Sequence, residues 1–213
     1  MSARDSILGR IGKALERSEP AEIEAHLAAH PRGPMPPRPD DLTARFKERA
    51  LQLSSDILEA ASIADVPALL AGYLKERGLP SQGVCWPALA SLEWSAAGLD
   101  IQARPANGQD LVGITGAFCA IAETGTLMML SGPETPASVS LLPETHFAIL
   151  ETGRIVAAME DTWDLLRNEY QCPPRAINFI SGPSRTADIE QTVTLGAHGP
   201  YRVVVILVGS RQQ

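Results

Sequence analysis

The chain has 213 residues, 45% of them hydrophobic and 20% charged, which is enough for one α/β domain with a helical extension. Its formal net charge of −7 argues against a nucleic-acid partner, whose phosphates need a basic footprint. The longest aliphatic run, at 203–208, falls far short of the ~20 residues that a membrane span requires.

The opening MSARDSILGRIGKAL mixes both charge signs with apolar residues, unlike the clean apolar block of a secretory leader. Within it Ile7, Leu8, Ile11 and Leu15 fall on one helix face, with Ser2 or Asp5 as cap. A second helix is predicted over 21–29. The Pro-rich stretch 31–39 forbids helix and favours an extended linker. Leu42, Phe46, Ala50, Leu53, Ile57 and Leu58 then predict one long amphipathic helix. Val66, Leu69, Leu70, Tyr73 and Leu74 predict another, with Asp65 as cap, Pro67 in the first turn and Gly78 at the end. Residues 1–78 therefore read as a helical extension, and 79–213 as the α/β domain.

From Gln82 the pattern changes. Short strands are predicted at 83–87, 100–103 and 110–114. The run LVGITGAFCAIAETGTLMML at 111–130 carries one ionisable carboxylate, Glu123. Two β-type runs around its polar corner predict a hairpin. A turn or short helix at 138–142 and a strand at 146–150 follow. Ile155, Met159, Trp163 and Leu166 give a helix face, and strands are predicted at 176–180 and 201–208. Alternating strands and helices define a layered α/β domain with a largely parallel sheet, which the hairpin makes mixed.

Three segments could carry chemistry. If Glu123 shares an inward face with Cys119 and Ile121, desolvation raises its pKa and suits it to act as a general base or carboxylate nucleophile. Alternatively it is a turn acid beside Thr124, Gly125 and Thr126. Ser181, Gly182, Ser184, Arg185, Thr186 and Asp188 follow a predicted strand directly and offer hydroxyls, amides and a guanidinium to an anion. The alternative there is local capping of a helix by Thr186 and Asp188. His198, between glycines ahead of the last strand, could carry a proton into a cleft or be a loop histidine with a backbone partner. His146 reads as a strand-edge residue. Four scattered histidines make a metal site improbable. Cys85, Cys119 and Cys172 are too far apart to encode a disulfide framework, a zinc site or a cluster, which fits a reducing compartment. GITG at 113–116 is too short to cradle phosphate, and no dinucleotide fingerprint is present.

Taken in order and spacing, GITGAFCAIAETGTLMMLSGP, SLLPETH and FISGPSRTADIEQTVTLGAHGP resemble the LUD domain of the lactate-utilisation protein C family. The match covers roughly residues 80–213. The resemblance implies a three-layer sandwich of the sugar-isomerase and CoA-transferase-like type. It implies a cytoplasmic role in oxidising L-lactate to pyruvate beside two partner subunits, one of them an iron–sulfur protein. With no cofactor of its own, this chain would be an accessory, non-redox subunit. Related folds use a carboxylate as nucleophile or base, which would fall to Glu123. Phe118 and 134–138 stand where relatives place an acidic residue and a Gly/Arg-rich loop. The alternative is a stand-alone enzyme or binding protein for a small anionic metabolite (a sugar phosphate, folate or acyl-CoA) built on Glu123, the 181–186 loop and His198.

Overall fold

A computed structural model of the chain describes residues 2–14, 20–29, 33–186 and 194–209. Two compact units part between Pro36 and Pro37. The smaller holds α1 (Ala3–Ala14) and α2 (Pro20–Ala29). The Asp5 carboxylate accepts the Ser2 N–H at 3.0 Å, and the Ser2 hydroxyl accepts the Asp5 N–H at 3.2 Å. This reciprocal cap satisfies two donors that the start of a helix leaves orphaned. Leu15 and 30–32 lie outside the described residues.

The larger unit runs, in chain order, α3 (Leu42–Gln52), β1 (Asp56–Ala60), α4 (Val66–Glu76), β2 (Gln82–Cys85), β3 (Asp100–Ala103), β4 (Val112–Gly116), β5 (Cys119–Ile121), β6 (Thr126–Leu130), α5 (Ser138–Leu141), β7 (Thr145–Glu151), β8 (Ile155–Val156), α6 (Met159–Glu169), β9 (Ile177–Ile180), β10 (Arg185–Thr186), β11 (Thr194–Leu195) and β12 (Arg202–Val208). The compact units therefore divide at residue 36, not at 78. The physical reason is β1, which pairs in parallel with β12 along its whole length and ties α3 and α4 to the α/β unit.

The predicted long helix stops early for the same reason. The Asp41 carboxylate accepts the Ala44 N–H at 2.9 Å to start α3, and Phe46 and Ala50 are fully buried. Just past the helix Ser54 adopts a left-handed φ of 66°, which turns the chain out of the helix. Ile57 and Leu58, expected on a helix face, alternate in β1 and pack into two different cores. At α4 the Asp65 carboxylate accepts from Ser62 N–H and hydroxyl at 3.0 and 2.7 Å, so it closes the preceding turn and does not cap the helix.

Six strands form a sheet in the order β1-β12-β7-β4-β2-β3, parallel throughout. β12 reads RVVVILV, and its residues 203–208 are all buried, the near-continuous apolar run of a strand covered on both faces. Val203, Val205 and Leu207 pack with Phe46, Ala50 and Val139, whereas Val204, Ile206 and Val208 pack with Val66, Leu70 and Leu74 of α4. Each such side chain contributes roughly 1.5–3 kcal/mol of burial.

The hairpin does not enter this sheet. β5 and β6 form a separate four-stranded sheet, in the order β8-β5-β6-β9. Both hairpin faces are apolar, so it is buried as a layer of its own. Ala120, Leu127 and Met129 join the core of the parallel sheet, while Cys119, Met128 and Leu130 pack against Leu166 of α6. Ile155, expected on the following helix, sits in β8. His146, expected at a strand edge, is fully buried in β7, a central strand.

Candidate functional site

Glu123 lies in the turn between β5 and β6, half-buried. It is not on the strand face of Cys119 and Ile121, because β5 ends at Ile121. Its N–H donates to Ala157 O at 3.1 Å, and its carbonyl accepts Arg49 Nε at 3.2 Å. The turn is pressed under the end of α3. Gly125 has φ +69°, and a Cβ there would stand 2.6 Å from Ala50 N. Only glycine fits such a position without strain.

The hairpin turn and the 181–186 loop do meet. Thr124 Oγ1 donates to Thr126 Oγ1 at 2.8 Å, and the Thr126 and Ser181 hydroxyls share a 2.7 Å hydrogen bond. Gly182, at φ +80°, brings its backbone against Leu53, whose carbonyl oxygen would lie 2.4 Å from an added Cβ. Arg185 donates to Leu53 O at 3.3 Å and to Ser54 Oγ at 2.5 Å. Its guanidinium therefore covers carbonyl and hydroxyl groups at the α3 C-terminus, a favourable place for a cation. Thr186 lies in β10, paired with Thr194 of β11, rather than at a helix cap. Asp188 lies outside the described residues. The loop follows β9, a strand of the smaller, mostly antiparallel sheet, so it is not at the carboxyl edge of the parallel sheet where ligands usually settle.

Ser184 links this loop to the His198 segment: its N–H donates to Pro200 O, and its carbonyl accepts the Gly196 N–H, both at 2.9 Å. His198 is exposed. It lines a cavity of about 660 Å³ with Leu141, Leu142, Glu144 and Tyr201, at the amino ends of β7 and β12. Neither Glu123 nor Arg185 lines that cavity. The three sequence segments are thus linked through Thr126, Ser181 and Ser184, with Glu123 and His198 on different features of the surface.

A second cavity, of about 390 Å³, was not anticipated from sequence. Trp86, Phe118, Leu130, Glu134, Thr135 and Tyr170 are among its walls. Trp86 directly follows β2, and Phe118 stands two residues past β4. β2 and β4 are neighbours in the parallel sheet; the next strand of that sheet after β2 is β3, on one side, and after β4, past the β5–β6 hairpin, it is β7, on the other. That is a topological switch point, the crevice in which open α/β sheets bind ligands. Its framework is fixed by hydrogen bonds: Trp86 Nε1 donates to Pro136 O at 3.1 Å, and Thr135 Oγ1 to Leu130 O at 2.8 Å. Phe118 meets Tyr170 edge-on at 5.8 Å. The Arg154 guanidinium lies 4.6 Å from the Phe118 ring centre and pairs with Glu169 at 2.5 and 3.0 Å. Among the described residues, no group of three or more His, Cys, Asp or Glu side chains is placed to hold a metal ion.

These features define a mixed α/β protein with a parallel central sheet and a pocket at its switch point. Residues 43–208 match the LUD domain, and the chain belongs to the LUD domain family. It is 37% identical to the Lactate utilization protein C of Bacillus subtilis, over 81% of this chain and 80% of that one. It is 40% identical to the uncharacterized protein NMB1437 of Neisseria meningitidis over a shorter stretch, 45% of this chain and 41% of that one. The crystal structure of a DUF162 family protein from Deinococcus radiodurans superposes with a TM-score of 0.61 at 24% identity, covering 82% of this chain and 100% of that chain. That likeness bears on the fold.

Proposed function

We propose that this chain works in lactate utilisation, as an accessory subunit without a redox cofactor of its own, beside an iron–sulfur protein that oxidises L-lactate to pyruvate. The observation that carries this reading is the 37% identity to a Lactate utilization protein C, aligned along most of both chains. The placement of the cysteines agrees with it. Cys85 and Cys119 are buried in different cores, and Cys172 is exposed. Burial pushes the Cys85 and Cys119 thiols up to about 11 and about 12, which disfavours the thiolate that metal ligation uses. The reading places the chain in the cytoplasm. Among the described residues no helix is long and apolar enough to cross a membrane.

Affinity purification of the tagged chain from cells grown on L-lactate tests the partner. An iron–sulfur protein should come down with it in stoichiometric amount, recognised by visible absorbance and iron content. A chain that purifies alone under conditions that keep clusters intact contradicts the accessory role.

A further inference from the structure

We propose that the switch-point cavity binds a small planar N-heteroaromatic ring that carries positive charge or N–H donors on its edge. This goes beyond the lactate reading and does not depend on it.

Three aromatic rings border the cavity. Trp86 is 5% exposed and held by its indole N–H, so it forms a rigid wall. Phe118 is half-buried, and Tyr170, 45% exposed, stands at the mouth. Leu130 and Pro133 complete an apolar lining. The volume of about 390 Å³ falls in the range of small-molecule sites. Rings in fixed orientation favour a flat guest, which can stack or pack edge-on at little conformational cost.

Charge selects among flat guests. Among the described residues, Glu134 is the only charged side chain in the lining, and it is exposed. Arg154, which stacks on the Phe118 ring, is not among the lining residues. It is engaged by Glu169, by its stack on the Phe118 ring and by a 2.8 Å bond to Phe118 O. Among the described residues, no lining side chain offers positive charge to a carboxylate or phosphate. Aromatic faces together with one carboxylate attract cations and N–H edges instead. Lactate, pyruvate and phosphate esters are poor matches for this place. If such anions act on this protein, they do so elsewhere.

The test is a titration of the full chain followed by the indole N–H resonance of Trp86 in 15N NMR. Three probes of similar size or known relevance are compared: 1-methylnicotinamide, benzoate and L-lactate. 1-Methylnicotinamide should shift the Trp86 signal saturably. Glu134→Gln should weaken that binding by roughly two- to fivefold, and Tyr170→Leu by about fivefold. Both residues are exposed, so both variants should keep the parent spectrum elsewhere. Benzoate and L-lactate should bind more weakly by a wide margin. A Trp86 signal unmoved by millimolar 1-methylnicotinamide overturns the proposal. So does binding of benzoate or L-lactate at equal or lower concentration, or binding of the cation that is indifferent to Glu134→Gln and Tyr170→Leu together.

Discussion

Lowering the pH from 7 to 5 should destabilise the protein through His146, beyond what its carboxylates contribute. The side chain is fully enclosed in β7. Its Nε2 and the Thr115 hydroxyl share a 2.8 Å hydrogen bond, while its Nδ1 is buried without a hydrogen-bond partner among the described residues. Burial disfavours the charged imidazolium and pulls the pKa from 6.5 down to about 4. In the unfolded chain the ring returns to its ordinary value, so between these limits the unfolded state holds more protons than the folded one. Stability is therefore whole above pH 6.5 and declines as the pH falls, with the loss complete below pH 4. Each pH unit inside the window removes about 1.4 kcal/mol, so the loss at pH 5 is about 2 kcal/mol and the full loss about 3 kcal/mol. Carboxylates titrate nearby, so the assay is differential. Urea unfolding of the parent and of His146→Gln is measured at pH 7 and pH 5, and only the parent should carry the extra 2 kcal/mol or so of acid sensitivity. In parallel, 13C NMR of the His146 ring should show it neutral down to about pH 4. Equal pH dependence in the two proteins, or a ring that protonates near 6.5, refutes the reasoning.

Other substitutions probe the joint between hairpin, loop and α3. Gly125→Ala and Gly182→Ala each place a methyl against backbone at a left-handed φ, so each should cost about 2 kcal/mol or more in thermal or urea melts. An unchanged midpoint in both would show that α3 does not press on these turns. Arg185→Ala removes the cation at the end of α3 and should cost about 1 kcal/mol, read by urea unfolding. No loss at all would mean that the contact is not held in solution.

The helix faces and strands of the larger unit were mostly legible, because their periodicities differ and turn residues punctuate them. The exceptions come from tertiary placement. Leu53, Ile57 and Leu58 continue a helical spacing from Phe46 and Ala50, yet pairing with β12 draws 56–60 into a strand. No local pattern announces that pairing, which joins segments about 150 residues apart. The hairpin was visible in the run around Glu123, but its membership of a second sheet was not, since that depends on α6 covering its outer face. At the site, Thr126 and Ser181 come together across distant segments, while Glu123 and His198 do not line one cavity. The switch-point cavity stayed hidden because Trp86, Phe118, Glu134 and Tyr170 come from four separate stretches. The signal that could have found it is an aromatic residue just past each of two strands, Trp86 after β2 and Phe118 after β4.

Growth on L-lactate is the most direct test of the central claim. A clean deletion of this gene, in a strain with no paralogue of it, should grow normally on glucose and fail on L-lactate as sole carbon source. Supplying the chain in trans should restore growth. Undiminished growth of the deletion strain on L-lactate would contradict the assignment to lactate utilisation.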